Sequence, residues 1–164
     1  MRANGYKTFI ATGGSSSFVR VYSDEVYGIP PEQIAGIAQA LKYGYHDDLP
    51  ILAMEPKLVL NNLGAGKIEN FWMVYGDRPF TAFGNSSSDD QQMLEYVMAG
   101  SGARLSVLVV HDDPIREYAY GPAQGLPDTK VGTLSQTMYD EAKKQGWTII
   151  SMKKDWKRIF AFDQ

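Results

Sequence analysis

Residues 104–110 read Arg-Leu-Ser-Val-Leu-Val-Val, and this nearly unbroken apolar run constrains the fold more than any other feature. A strand with one wet face alternates apolar and polar residues. A strand covered on both faces does not, and such strands belong to parallel sheets flanked by helices. The surroundings agree. Short apolar runs at 6–11, 80–83 and 147–151 read as further strands, and helical spacing appears at 18–27, 66–75, 91–98 and 134–144. In the first of these helices Phe18, Val21, Tyr22 and Val26 share a side, and Gly28-Ile29-Pro30-Pro31 stops it. Segments 34–41 and 49–54 read as two strands joined through 43–48 as a hairpin or flap, with another short strand at 57–63. A short helix is expected over 111–120, a Pro/Gly-rich surface loop over 121–128, and a last helical turn or two over 155–160. Strands alternating with helices in this way predict an α/β fold with a largely parallel sheet, helices on both faces and a small β-hairpin. At 164 residues, one domain spanning 1–164 is expected.

Composition removes several function classes. A net charge of -3 supplies no basic footprint for nucleic acid, and no Lys/Arg run suits an anionic membrane surface. The absence of cysteine excludes disulfides and thiolate chemistry. No apolar stretch approaches the ~20 residues of a membrane span, and the amino terminus carries no apolar signal region. A soluble, cytoplasmic chain is the expectation.

Chemistry is concentrated where strands end. The apolar run 80–83 breaks at Gly84, passes through Asn85-Ser86-Ser87-Ser88, and delivers Asp89 and Asp90 to a helix start. Open α/β sheets build ligand crevices at the carboxyl ends of their strands. Clustered oxygen ligands there suit Mg²⁺, although acids also favour a helix amino terminus. Thr12-Gly13-Gly14 lies at another strand-to-helix junction, where a hydroxyl and backbone N–H groups cradle phosphate, or where Ser15, Ser16 or Ser17 caps the helix. Lys67, in Gly64-Ala65-Gly66-Lys67-Ile68, would neutralise a phosphate or be a solvated lysine at a helix start. It belongs to no Walker A loop, because Asn61 and Ile68 stand where Gly and Ser/Thr are required. His111-Asp112-Asp113-Pro114 reads as helix-start grammar, with a ligand role for His111 the lesser reading. Trp147, Trp156 and Phe160 read as core and docking aromatics.

Taken together, these segments resemble the haloacid dehalogenase superfamily of phosphohydrolases, in particular its phosphoserine-phosphatase-like members. The likeness rests on RANGYKTFIATGG, the Asp24–Gln33 phrase DEVYGIPPEQ, GAGK, AFGNS followed by DQQMLEY, VVHDDPIREYAYG and GWTIISMKKDWKRIF. It implies a Rossmann-like core of that type. By the resemblance, Thr12 with Gly13 and Gly14 binds the transferring phosphoryl group, and Lys67 is the catalytic lysine that balances its charge. Asp89 or Asp90 holds Mg²⁺, and Asn85 stands where many relatives carry another acid. The implied ligand is a small phosphorylated substrate or free phosphate. A hydroxyl, an ammonium and a carboxylate would then surround one phosphate-sized hollow.

One departure bears on mechanism. These enzymes attack phosphorus with the first Asp of an Asp-x-Asp-x-Thr motif, and no such pattern follows a strand here. The resemblance therefore implies a carboxyl-terminal part of a Mg²⁺-dependent phosphomonoester hydrolase, lacking the central nucleophile strand and cap, with covalent catalysis lost. The strands ending at Ala11 and Phe83 would either pair directly or be covered by another chain, including a homo-oligomeric partner. The alternatives are a non-catalytic binding or oligomerisation module, and a hydrolase that recruits Asp112 or Asp47 as nucleophile.

Overall fold

A computed structural model describes residues 1–129 and 132–162. The fold is mixed α/β, and the chain divides into two compact units, Met1–Gly76 and Asp77–Gln164. Each unit carries its own three-stranded sheet.

The first unit runs β1 (Ile10–Ser15), α1 (Ser16–Arg20), α2 (Ser23–Tyr27), β2 (Ile34–His46), β3 (Leu49–Leu60) and α3 (Gly66–Tyr75). β1 and β2 are parallel, with Ile10 opposite Ile34 and Ala11 opposite Ala35. β2 and β3 are antiparallel, from Ala38 opposite Leu60 to His46 opposite Leu49. The single helix expected over 18–27 is broken at Val21 and Tyr22, and Gly28 closes the second piece in the left-handed region at φ 60°. β1 begins at Ile10 rather than residue 6, so Thr12-Gly13-Gly14 forms the strand's own tip.

The hairpin is far longer than the sequence suggests. Its turn is only Asp47 and Asp48, both at positive φ (50° and 60°), the conformation a two-residue hairpin turn demands. Residues 43–46 therefore belong to β2. Residues 57–60 continue β3 rather than forming a separate strand. The ladder shifts register between Gln39 and Leu41, and this bulge carries β3 past Pro56, which has no N–H to pair.

The second unit runs β4 (Thr81–Gly84), α4 (Gln91–Met98), β5 (Leu105–Val110), α5 (Gln136–Lys144), β6 (Thr148–Ser151) and α6 (Met152–Asp155). Its sheet is wholly parallel, in the order β4-β5-β6. Ser106, Val107, Leu108 and Val110 are buried, as the apolar run requires. The core gathers Leu94 and Val97 of α4, Met138 and Ala142 of α5, and Trp147 around β5. Leu134, expected to open a helix, instead fills this core ahead of the Ser135 cap, whose hydroxyl accepts the Met138 N–H.

Three expectations fail in this unit. No helix forms over 111–120, because the Asp113 carboxylate takes the Ile115 and Arg116 N–H groups into a tight turn. The last helix lies at Met152–Asp155 rather than 155–160, set by Ser151, which accepts the Lys154 N–H and donates its own N–H to Asp155. Trp147 is buried, but Trp156 and Phe160 are exposed and not core.

Among the described residues β1 pairs with β2 alone and β4 with β5 alone, so each is an edge strand of its own sheet. Direct pairing of the two, one of the two arrangements expected above, is not formed among the described residues. Among the described residues no helix is long and apolar enough to cross a membrane.

Candidate functional site

In the first unit the polar groups gather at the carboxyl end of β1. The Thr12 hydroxyl accepts the Gly14 N–H at 3.0 Å, folding the strand tip back on itself. Ser15 is the N-cap of α1 but makes no side-chain capping bond, so the capping role weighed for the serines is not seen at that position. The tip is held from below by two buried amides that sequence reasoning missed. Asn62 donates to the carbonyls of Thr12 (2.7 Å) and Ala35 (3.1 Å). Asn70, one turn along α3 from Lys67, donates to the Gly36 carbonyl and to the Asn62 side-chain oxygen, both at 2.9 Å. This network fastens the segment leading into α3 against β1 and β2.

Lys67 occupies the first turn of α3, which packs on β1 and β2. It is only 4% exposed, so the solvated-lysine reading is corrected. Lysine is almost never fully buried unless something compensates its charge. Two close backbone approaches in this unit require glycine. A Cβ on Gly66 would land on the Asn61 carbonyl oxygen, and one on Gly36 would lie 2.7 Å from the Gly14 oxygen. The structure thus brings Thr12, Gly13, Gly14 and Lys67 into one unit, with Asn62 as the tie.

In the second unit the β4–α4 loop is built around Asp90. Its carboxylate does not cap α4 but turns back and accepts the N–H groups of Asn85 (2.9 Å) and Ser86 (3.1 Å). Gly84 makes room, since a Cβ there would sit 2.5 Å from the Asp90 Cβ. Asp90 is buried and Asp89 half-buried. The Asn85 amide donates to the Tyr120 hydroxyl at 2.6 Å, which turns its carbonyl oxygen to the other side. Tyr120 stacks on the His111 ring at 4.6 Å, and His111 Nδ1 lies 2.7 Å from the Glu117 carboxylate. Burial raises the Tyr120 hydroxyl above its ordinary value, the Asn85 hydrogen bond opposing this, so it remains a neutral phenol. Glu117, His111 and Tyr120 therefore form a brace that fixes Asn85.

The donors of this loop are oxygens only: the Asp89 and Asp90 carboxylates and the Asn85 amide. That chemistry suits a hard cation such as Mg²⁺, which takes one or two carboxylates and fills its remaining positions with water or phosphate. Among the described residues no three His, Cys, Asp or Glu side chains are grouped to hold a metal by themselves.

The other acids have structural partners. Asp112 accepts the Ser151 hydroxyl at 2.6 Å and the Lys153 N–H at 2.9 Å, tying the tips of β5 and β6. Asp47 sits exposed in the hairpin turn, 3.2 Å from His46. Asp113 grips Arg116 at 2.5 Å, and Arg116 in turn donates to the carbonyls of Met152, Lys153 and Trp156.

This last arrangement has a pH consequence. The Arg116 hydrogen bond holds the Asp113 carboxyl below its ordinary value. A carboxyl depressed in the folded state stabilises above its unfolded value, about pH 4, and the contribution is lost as pH falls through the folded value. Below about pH 4, amide exchange in residues 152–157 is expected to accelerate before the rest of the second unit opens. An Asp113→Asn protein showing the same acid profile as wild type would contradict the assignment.

Comparison with protein-family models finds no matching family, and comparison with curated proteins finds no match.

Proposed function

We propose that this chain binds phosphate through the β1 tip and Lys67, and Mg²⁺ through the β4–α4 loop, as a haloacid-dehalogenase-type module with a Rossmann-like core. The observation that carries the reading is Lys67, buried in the first turn of α3, a helix that packs on β2 and on β1, the strand whose tip holds a hydroxyl and two glycines. Phosphate offers several acceptors for a lysine ammonium and for the N–H and hydroxyl groups of such a tip. Mg²⁺ would be held on the oxygen donors of the β4–α4 loop, its remaining positions filled by water. Asp89 and the Asn85 oxygen are its first ligands in this account, with Asp90 shaping the loop that presents them.

The ligand class is a small phosphomonoester or free phosphate. Turnover is not part of the proposal. Hydrolysis through an aspartyl-phosphate requires a nucleophilic carboxylate, and none is assigned to that role in this chain. The alternative form of the reading is a binding or oligomerising module, which the exposed apolar side chains of β2 and β3 favour.

Calorimetry tests the cation half. Asp89→Asn combined with Asp90→Asn is expected to weaken Mg²⁺ binding at least about tenfold, while the Asn side chain at 90 still accepts the loop N–H groups. Unchanged affinity would remove the metal assignment. Hydrolysis of p-nitrophenyl phosphate that depends on Mg²⁺ and disappears in Asp112→Asn would instead revive a recruited nucleophile.

A further inference from the structure

Beyond Ile37, β2 has only β3 for a neighbour, so residues 38–60 form a two-stranded ribbon standing away from β1. Isolated two-stranded ribbons are marginal in water without a covered apolar face. This ribbon has an apolar face that nothing among the described residues covers. Cross-strand partners share a side, and the pairs Leu41–Met54, Tyr43–Leu52 and Tyr45–Pro50 line one of them. All six are exposed, with Tyr43 at 61%, Tyr45 at 67% and Leu52 at 65%. The opposite side mixes Lys42, Gly44 and His46 with Leu49, Ile51 and Ala53.

We propose that this face is the interface of a homodimer, two ribbons packing face to face across a two-fold axis. Three features select a second copy. The first is area. Six side chains at these exposures offer roughly 600 Å² per copy, which doubled reaches the lower range of specific interfaces. The second is self-complementarity. One strand presents Leu41, Tyr43 and Tyr45, the other Pro50, Leu52 and Met54, so antiparallel stacking sets the aromatic strand of each copy on the aliphatic strand of its partner. The Tyr43 and Tyr45 rings are already fixed edge to face at 5.6 Å, with their hydroxyls hydrogen-bonded at 3.1 Å, so little order remains to be lost. The third is charge. The face carries none, and a net charge of -3 per chain does not prevent association. Along the β3 edge, Pro50 and Pro56 blunt edge pairing, which favours packing by the apolar face.

The interface stands whether or not the chain binds phosphate, and its test is separate. Sedimentation equilibrium of the full chain is expected to give a mass near twice 18.2 kDa. Tyr43→Lys combined with Leu52→Lys, both at exposed positions, should raise the dissociation constant about 100-fold or more. Lys42→Gln, on the opposite side, should leave it unchanged. Because the chain has no cysteine, a Tyr45→Cys protein treated with a bis-maleimide should give a covalent dimer, and Lys42→Cys should not. A wild-type protein monomeric at roughly 200 μM, its face covered within the chain or by another protein, would overturn the proposal, as would a dimer indifferent to the double lysine substitution.

Discussion

Gly66→Ala is expected to cost about 3–5 kcal/mol of stability and to disable phosphate binding with it. The added Cβ would fall on the Asn61 carbonyl oxygen, a backbone atom that moves only if the turn before α3 moves. That turn carries Asn62, whose amide is bonded to the Thr12 and Ala35 carbonyls, so two buried acceptors lose their donor when it shifts. Gly84→Ala is expected to act in the same way. There the nearest obstructing atom is the Asp90 Cβ, whose position the backbone fixes, so the β4–α4 loop must shift at the expense of the Asp90 bonds to the Asn85 and Ser86 N–H groups. A loss of about 2–4 kcal/mol is expected. Urea unfolding measures both. A Gly66→Ala protein within about 1 kcal/mol of wild type would show that the close approach is not a constraint.

The second large effect is on binding. Lys67→Gln is expected to lower the affinity for inorganic phosphate about 10- to 100-fold, the range for losing a charged hydrogen-bonding partner. The amide preserves length and polarity, so a retained unfolding midpoint would separate lost charge from lost structure. A phosphate affinity unaltered in a folded Lys67→Gln protein would take this residue out of the site.

Much of the fold was legible in local pattern. α3 and α4 were read to the residue, because each is an amphipathic or small-residue-led run ended by a glycine, Gly76 at φ 71° in one case and Gly100 just past the other. β5 was legible because a strand covered on both faces cannot alternate. The misses have a common cause, which is that side chains override backbone propensity over short spans. Asp113-Pro114 has the grammar of a helix start, yet Arg116 is drawn to the carbonyls of 152–157, so the segment closes as a turn. Ser151 and Asp155 form a reciprocal cap that was present in the sequence and would have placed the last helix correctly.

The candidate site was legible in its strand-end residues and not in its supports. Thr12, Lys67, Asn85, Asp89 and Asp90 stand out because small polar residues follow apolar strands. Asn62, Asn70 and Tyr120 do not. Asn62 reaches partners 50 and 27 residues away, and Tyr120 meets Asn85 across 35, separations that leave no local trace. The half-buried stacking of His111 on Tyr120 likewise turns a residue given a lesser role into part of the brace behind Asn85.

The central claim is that an anion seats on the tip of β1 against the buried ammonium of α3. Titration of ¹⁵N-labelled protein with inorganic phosphate, followed by amide chemical shifts, locates it. Saturable shifts centred on Gly13, Gly14 and Lys67, absent in Lys67→Gln, are the predicted result. Shifts centred elsewhere, or none up to roughly 10 mM phosphate, would contradict the account.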